Sequence, residues 1–471
     1  MNAPSIEHIQ KYFSKYFKKM IEGIKEKKIQ LIQGDFTKSF QPTFSYTIRS
    51  SDEFAMTTFS TYAVVNNKKD GDPVCDKAGV LRYKNAFISC IADGCGWGEK
   101  SSKAAISAVS GCLDYLSLSI KMAKTTTDIA RILVESFAHA HYNIIKEKQS
   151  PMHIGITTLL VTCTIYVENS KKGIKPFTLL LSVGDCRAFY IKMKSKQAIS
   201  LCGINRTKIK EIQNCSGSLG AANEYFPDLK GSVLLLIKSE IGDKILTVTD
   251  GFYDNISCMS EFVFPLIDRS ATLADFLESF SKLLIDITEP IRKEVVTTRK
   301  LIISKGKLDH STSIIYDIVS QYSLNPINTF YPSIFDSLIP NKKRVSSLPK
   351  ALELKGPNQT DLTDLLSPPS TCFSSVLPFP FSVPISSPTP SPSICSQIVR
   401  LDTSPSNDSL LRKKSPIPFL APTAFKRHSV NQLLHQSHFV QTKNVDVHSF
   451  ASTPVEHPSS PFARFFLEEV N

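Results

Sequence analysis

The sequence predicts an α+β fold built on antiparallel sheets. Strand-like runs follow one another along residues 57–322, and two helical patterns come in succession after the first of them. Regularly alternating strands and helices, the signature of a parallel sheet, are not the pattern of this chain. Beyond about residue 335, Ser-Pro and Thr-Pro pairs crowd the sequence and disfavour a regular helix or ladder. We therefore expect a folded part shorter than the 471-residue chain.

The periodicity of apolar residues predicts the elements of this fold. Helices are expected over 101–120, 127–146 and 272–287, and strands over 85–92, 157–167, 177–183, 188–192, 244–249 and 312–319. Thr272 is placed as the N-cap of its helix, with Asp275 at the capping-box position. Gly184-Asp185 lies between two of the strands and predicts a hairpin.

Three segments are expected along the chain. Residues 1–56 hold a basic amphipathic helix over 5–33 and a linker, residues 57–322 form the folded domain, and residues 323–471 form a Pro/Ser-rich, disordered tail. The helix either docks on the domain, which we favour, or binds a membrane surface or a partner. The Ser-Pro and Thr-Pro pairs of the tail are candidate sites for proline-directed kinases, although a solvated linker would contain such pairs by chance.

Composition limits the compartment and the partners. None of the eleven cysteines forms a Cys-x-x-Cys pair, which favours reduced thiols in a cytoplasmic or nuclear protein. No run approaches the roughly 20 apolar residues of a membrane-spanning helix, so no transmembrane segment is expected. The net charge of +12 favours an acidic partner. The lysines are dispersed without an aromatic-basic stripe, so we do not expect nucleic acid.

Four aspartates stand out because each is next to a predicted apolar strand, at its end or before its start. They are Asp93, Asp185, Asp250 and Asp309. One Asp-Gly pair alone is usually a turn, but four carboxylates brought together would repel one another and raise their pKa values. A divalent cation resolves this conflict, and an all-oxygen ligand set suits Mg²⁺ or Mn²⁺. The pattern therefore predicts a metal site.

Two other kinds of site are disfavoured around Asp93. The glycines at 94, 96 and 98 lack the G-x-G-x-x-G spacing of a dinucleotide loop, and Asp93 would repel a pyrophosphate. Cys95 is a poor nucleophile beside several aspartates, because their negative charge disfavours the thiolate.

These motifs, in this order, resemble those of the metal-dependent PPM-type (PP2C-like) Ser/Thr phosphatases. The matching segments are Asp93-Gly94, Gly155-Ile156-Thr157-Thr158, Val183-Gly184-Asp185-Cys186-Arg187-Ala188, Thr249-Asp250-Gly251-Phe252-Tyr253-Asp254 and Asp309-His310-Ser311-Thr312. The resemblance covers about residues 60–320, and the form of the Asp93-Gly94 motif looks like that of a divergent eukaryotic branch. It implies a four-layer αββα sandwich, in which two antiparallel sheets are flanked by helices.

The resemblance also implies a centre with two Mg²⁺ or Mn²⁺ ions. Asp93 would bridge the ions, the Gly94 carbonyl would bind one of them, and Asp250 and Asp309 would bind the other. Asp185 and Asp254 match positions used for a weaker third metal. Water activated between the ions would attack the phosphorus of a phosphorylated protein in line, with Asp93 and Asp250 as the catalytic residues.

The chain departs from the family pattern upstream of Asp93. No Arg is present over 66–76, so Lys68 or Lys69 would have to bind the substrate phosphate, and either Asp76 or Asp72 would complete the acidic set. Cys95 stands where some members have a His, and His310 replaces a common Asn. His139 and His141 fall within a predicted helix and are expected to be structural.

Two functions follow from these observations. The first is a metal-dependent protein serine/threonine phosphatase, and it depends on the intact Asp93, Asp250 and Asp309. The second is a catalytically weak phosphatase-like scaffold or binding module, which the missing Arg and the irregular upstream acids favour.

Overall fold

The computed structural model describes residues 3–41, 46–146, 150–169, 173–202, 217–256, 259–298 and 306–340. Residues 341–471 of the predicted tail lie outside the described residues. The predicted start of the disordered tail at residue 323 is wrong, because Asn328–Phe330 forms a strand paired with the one around Arg49, and Phe335 and Leu338 are buried in the core. The helices are α1 (Ile6–Gly23), α2 (Glu99–Ser119), α3 (Thr126–Ile145), α4 (Asp250–Tyr253), α5 (Met259–Arg269) and α6 (Leu273–Thr298). The strands are β1 (Thr37–Phe40), β2 (Thr47–Ser51), β3 (Phe54–Ser60), β4 (Val64–Val65), β5 (Lys68–Lys69), β6 (Lys77–Tyr83), β7 (Ala86–Ala92), β8 (Ile156–Thr157), β9 (Leu159–Asn169), β10 (Gly173–Val183), β11 (Arg187–Lys192), β12 (Gln197–Ser200), β13 (Ser218–Asn223), β14 (Phe226–Asp228), β15 (Val233–Lys238), β16 (Lys244–Val248), β17 (His310–Asp317) and β18 (Asn328–Phe330).

Two large antiparallel sheets form the centre of the fold. The first sheet has the strand order β1-β6-β7-β9-β10-β15, and the second has the order β12-β11-β16-β17-β3-β2-β18. Every neighbouring pair in both sheets is antiparallel. The α+β fold with antiparallel sheets is thus confirmed.

Three hydrophobic layers show that the arrangement is αββα. The middle layer packs the inner faces of the two sheets together, with Phe87 of the first sheet stacked on Tyr316 of the second at 4.2 Å between ring centroids. A second layer joins the first sheet to α1, α2 and α3. A third joins the second sheet to α5 and α6, where Phe252 and Phe280 stack at 4.7 Å.

The N-terminal segment departs from its predicted extent. The amphipathic helix ends at Gly23, and Ile9, Phe13 and Phe17 are buried in the layer that includes α3. The predicted domain boundary between residues 56 and 57 falls inside β3, which pairs with β17 along its length. β1 is an edge strand of the first sheet, and β2 and β3 are interior strands of the second. The folded unit therefore begins earlier than the sequence predicted.

The hairpin predicted around Gly184-Asp185 is wrong. β10 pairs with β9 and β15 in the first sheet, whereas β11 pairs with β12 and β16 in the second. The turn therefore carries the chain from one sheet to the other. A glycine followed by an acid signals a change of direction in the sequence, but it does not say which strand becomes the neighbour.

The third predicted helix has its expected start and a later end. The Thr272 hydroxyl accepts a hydrogen bond from the Asp275 amide at 3.1 Å, and the Asp275 carboxylate accepts one from the Thr272 amide at 3.0 Å. This is the capping box that the sequence indicated. The helix continues past Pro290 to Thr298. Among the described residues, none of the helices combines the length and apolar character needed to cross a membrane.

Candidate metal centre

The topology brings four aspartates to one end of the sandwich. The pairing of Lys77 with Ala92 places Asp76, before β6, beside Asp93, after β7. The pairings of Val248 with Ser313 and of His310 with Ser60 do the same for Asp250 and Asp309 in the second sheet. We call Asp76, Asp93, Asp250 and Asp309 the acidic cluster. Each sheet supplies two of its members.

Asp76 is the upstream acid that joins the cluster. Its side chain is fully buried, and its Oδ2 accepts a hydrogen bond from the Thr249 hydroxyl at 2.8 Å. The other oxygen, Oδ1, has no hydrogen-bond partner. Burial, together with the charges of Asp309 and Asp250, raises the pKa of Asp76 to about 8. Asp72, the alternative that the sequence left open, is exposed.

The backbone around Asp93 is clamped to the segment that holds β8. The Asp93 amide donates to the Thr158 hydroxyl at 3.0 Å, and the Asp93 carbonyl accepts from the Thr158 amide and the Thr157 hydroxyl, both at 2.8 Å. Burial and the charges of Asp250, Asp76 and Asp309 raise the pKa of Asp93 well above its ordinary value. The strand end is thus rigid, while its carboxylate carries strong electrostatic repulsion.

Gly94 permits the close approach of α2 to this strand end. A Cβ atom at this position would lie 2.5 Å from the carbonyl oxygen of Ser101, in the first turn of α2. Gly94 also forms an isolated antiparallel bridge with Thr157. Any side chain here would push α2 away from the cluster.

Asp309 is held by groups around its backbone and its carboxylate. Its amide donates to the Thr61 hydroxyl at 2.7 Å, and its Oδ1 accepts from the Tyr62 hydroxyl at 3.2 Å. The indole nitrogen of Trp97 in turn donates to the Tyr62 hydroxyl at 2.8 Å. Burial raises the pKa of Asp309 to about 6, against the opposing effect of the Lys307 charge. Trp97 is 60% exposed, so this chain of contacts runs from the surface to the cluster.

A lysine lies among the acids of the second sheet. The Nζ atom of Lys307 is 2.6 Å from Asp309 Oδ2 and 3.6 Å from Asp254 Oδ2, and it also forms an ion pair with Asp250. These carboxylates raise the pKa of Lys307 well above its ordinary value even though burial opposes the shift. The ammonium therefore supplies the positive charge for this half of the cluster.

The remaining predicted site residues take other positions. Asp185 is buried in the turn between the two sheets. Lys69 is buried, and its Nζ donates to the Leu338 carbonyl at 2.7 Å, so the prediction that it binds a substrate phosphate is wrong. Lys68 is exposed on β5. Cys95 Sγ lies 4.0 Å from the Asp93 carbonyl oxygen.

The histidines are packed into the fold. His310 Nδ1 accepts from the Cys75 amide at 3.4 Å, and burial lowers the pKa of His310 to about 3. His141 Nδ1 accepts from the Gly220 amide at 3.1 Å, and its Nε2 lies 2.9 Å from the Tyr225 carbonyl. His139 stacks on Tyr115 at 4.2 Å. These contacts are those of structural side chains.

Four residues at the site were missed in the sequence: Thr249, Tyr62, Trp97 and Lys307. Thr249 is recognisable because it precedes the Asp250-Gly251 pair, at the N-cap position of the short helix α4. Lys307 is two residues before Asp309, a spacing that puts two side chains on one side of an extended segment. Tyr62 and Trp97 reach the cluster only through tertiary packing, so the sequence carries no local signal for them.

The donor set fits a hard divalent cation on the side of Asp76 and Asp93. Its ligand atoms are carboxylate oxygens, and the buried Asp76 Oδ1 has no partner inside the protein. Within the described part of the chain, no three His, Cys, Asp or Glu side chains are already arranged to hold a metal. On the side of Asp250 and Asp309 the Lys307 ammonium accounts for this, because it draws both carboxylates onto itself.

Comparison with known proteins finds one curated protein that is similar to part of the chain. No family model matches the chain. Over 192 residues the chain is 25% identical to the PP2C-like domain-containing protein CG9801 of Drosophila melanogaster, a match covering 39% of this chain and 26% of the fly protein. The chain is thus similar to a PP2C-like protein, and the resemblance predicted from the ordered motifs is confirmed. Because the match spans about a quarter of the fly protein, the activity and substrates of this chain are matters for proposal.

Solved phosphatases are also similar to this chain. The serine/threonine phosphatase PstP/Ppp of Mycobacterium tuberculosis has 14% identity and a TM-score of 0.38, over 58% of this chain and 99% of that one. The S. agalactiae serine/threonine phosphatase has 15% identity and a TM-score of 0.38, over 56% and 100%. The catalytic domain of PstP in complex with two manganese ions has 13% identity and a TM-score of 0.37, over 58% and 99%.

Proposed function

We propose that this chain is a metal-dependent phosphatase acting on phosphoserine and phosphothreonine in proteins. The convergence of four aspartates from two sheets at one end of the sandwich carries this proposal. Buried carboxylates that repel one another lower the stability of the fold. Their presence here is therefore better explained by a function than by packing. The similarity to a PP2C-like domain-containing protein supports the same reaction class.

The protein residues around the cluster serve to fix the carboxylates. Asp93 and Asp76 are the acids of the first sheet available to a cation, with Gly94 letting the backbone approach closely. Thr249 accepts a hydrogen bond from the Thr312 amide at 2.9 Å and donates to Asp76, which fixes the orientation of that carboxylate. Mg²⁺ or Mn²⁺ bound there would neutralise charge on the transferring phosphoryl group and provide a nucleophile at neutral pH.

Trp97 gives the mouth of the site an aromatic surface. Its side chain is 60% exposed, although its indole nitrogen is tied to Tyr62. Large exposed aromatic side chains are favoured at contacts with peptides. In this proposal the substrate peptide lies over Trp97, and its phosphate enters toward Asp93.

The test measures phosphate release from a phosphothreonine peptide by the full chain with Mn²⁺, and again after EDTA. We expect release that depends on Mn²⁺ and is lost in Asp93→Asn. Asp317→Asn is the control, because Asp317 pairs with Lys244 at the end of β16 and β17 that is far from the acidic cluster. It should keep the activity. Release that survives EDTA, or that persists in Asp93→Asn, would exclude the metal mechanism.

A phosphatase-like binding module is the second candidate. The observation that favours it is Lys307, whose ammonium is held by two members of the cluster. The absence of an Arg over 66–76, together with the burial of Lys69, points the same way. Calorimetric titration with Mn²⁺ separates the two candidates. Binding without measurable phosphate release, or no binding at all, would favour the module.

A further inference from the structure

The Lys307 ammonium lies where the family resemblance would put one of the two metal ions. Asp250 and Asp309 are the carboxylates expected to hold that ion, and both form ion pairs with Lys307. Asp254, matched to a third, weaker metal, lies 3.6 Å from the same nitrogen. One ammonium thus contacts every acid of the second sheet to which a metal role was assigned, apart from Asp185 in the connecting turn.

Hydrogen bonds with the Asn255 side chain fix the backbone of Lys307 beside the cluster. The Asn255 side-chain amide donates to the carbonyls of Lys307 at 2.9 Å and of Gly251 at 2.8 Å, and its oxygen accepts from the Lys307 amide at 3.0 Å. One side chain therefore ties Lys307 to the turn that carries Asp250. The ammonium reaches the acids from a fixed base rather than from a free surface loop.

Gly306 shows that this approach is close. Its φ of +132° lies in a region that side chains rarely adopt, and a Cβ there would be 2.9 Å from the Asn255 side-chain oxygen. A larger residue here would strain the backbone and displace the Asn255 side chain that holds Lys307.

The two halves of the acidic cluster consequently differ in how their negative charge is compensated. Lys307 compensates Asp250 and Asp309, whereas the buried Asp76 keeps an oxygen without a hydrogen-bond partner. A divalent ion cannot share the position of the ammonium, and one bound a few ångströms away would be repelled by its positive charge.

From this geometry we infer that Lys307 is a built-in cation that excludes one of the two metal ions. The centre then takes a single divalent ion, on the side of Asp76 and Asp93, and a second ion binds only when Lys307 withdraws. This inference rests on the proposed metal centre. It adds a residue that sets the number of metal ions and their affinity.

The test is calorimetric titration of the full chain with Mn²⁺ alone, for the wild type, Lys307→Met and Lys244→Met. Methionine keeps the volume of the lysine stem and removes the charge. Lys244→Met is the matched control, because Lys244 also pairs with an aspartate, Asp317, at the far end of the same strands. We expect one ion in the wild type and the control, and two in Lys307→Met. The rise in melting temperature on adding Mn²⁺ should also be larger in Lys307→Met.

Each other outcome has a definite meaning. Two ions of similar affinity in the wild type would overturn the inference and leave the proposed phosphatase standing, and this measurement needs no variant. Equal stoichiometry in the wild type and Lys307→Met would likewise overturn it. If neither protein binds Mn²⁺, the inference and the proposed metal centre both fail.

Discussion

Two groups of buried polar side chains in this protein solve the problem of burial in opposite ways. Between the sheets, Ser89, Thr162, Thr164, Thr178, Ser239 and Tyr316 form a continuous hydrogen-bonded chain, which we call the inter-sheet network. Its donor–acceptor distances run from 2.6 to 3.0 Å. In the acidic cluster, like charges face one another, and Asp76 Oδ1 has no partner.

This difference separates residues that stabilise the fold from residues kept for another purpose. Buried polar groups are normally satisfied, and an unsatisfied one costs roughly 1–3 kcal/mol. The inter-sheet network obeys that rule with neutral hydroxyls. The acidic cluster breaks it with carboxylates, so replacing a member should harm function and spare stability, and replacing a network residue should do the reverse.

Asp93→Asn is expected to give the largest effect. It removes a charge from the centre of the cluster, and the proposed phosphatase activity should fall by about three orders of magnitude, because a metal supplies several kcal/mol of transition-state stabilisation. The free energy of unfolding without metal should stay equal or increase, since repulsion with Asp250 and Asp76 is relieved. Phosphopeptide assays and urea unfolding measure the two quantities. A marked loss of stability would assign Asp93 to the structural group.

His141 offers a test on the structural side through pH. Burial lowers its pKa to about 4, against the usual 6.5, so the unfolded chain binds a proton that the folded chain refuses. The stability it contributes is present above pH 6.5 and is lost as the pH falls toward 4, by about 3 kcal/mol at most. His141→Gln can keep both hydrogen bonds without titrating.

We therefore expect the stability difference between the wild type and His141→Gln to change over this pH window. Urea unfolding at several pH values between 6.5 and 4 measures it, and Mn²⁺ binding at neutral pH should be the same in both proteins. If the difference does not change with pH, the buried imidazole does not titrate as described.

Tyr316→Phe tests the inter-sheet network with the smallest change available. The phenol oxygen lies 3.0 Å from the Thr162 hydroxyl and 2.9 Å from the Thr164 hydroxyl, so its loss removes a shared partner of two buried groups. We expect a loss of about 1–2 kcal/mol in the free energy of unfolding. Mn²⁺ binding and phosphate release should not change. A loss of activity without a loss of stability would contradict the division into two groups.

How far the sequence predicted this molecule depends on which contacts were local. Helix periodicity and the Thr272 capping box are read within a few residues, and the structure agrees with them. The Gly184-Asp185 turn was misassigned because the partner of β11 lies far along the chain. The aspartates of the cluster were found through ordered motifs. Lys307 was not, because only the turn held by Asn255 brings its ammonium to them.

The choice between Asp76 and Asp72 shows the same limit. Both precede β6 in a loop of mixed composition, and nothing local distinguishes them. Burial decides, since Asp76 is enclosed beside Thr249 and Asp72 is exposed. The absence of an Arg was visible in the sequence, but the burial of Lys69 under the Leu338 carbonyl was not.

Asp76→Asn is the most delicate test of the comparison, because the expected stability change is the smallest. An amide at this position can still accept the hydrogen bond from Thr249 and carries no charge. Relief of the repulsion with Asp309 and Asp250 should raise the free energy of unfolding of the metal-free protein by about 1 kcal/mol. Mn²⁺ affinity should fall, because a carboxylate on the side of the cluster without Lys307 is lost.

Thr249→Val serves as the control for Asp76→Asn, since it removes the hydroxyl that orients Asp76 and keeps the charge. It should lower stability, so opposite signs for these two neighbouring substitutions would show that Asp76 is retained for its charge and not for its packing.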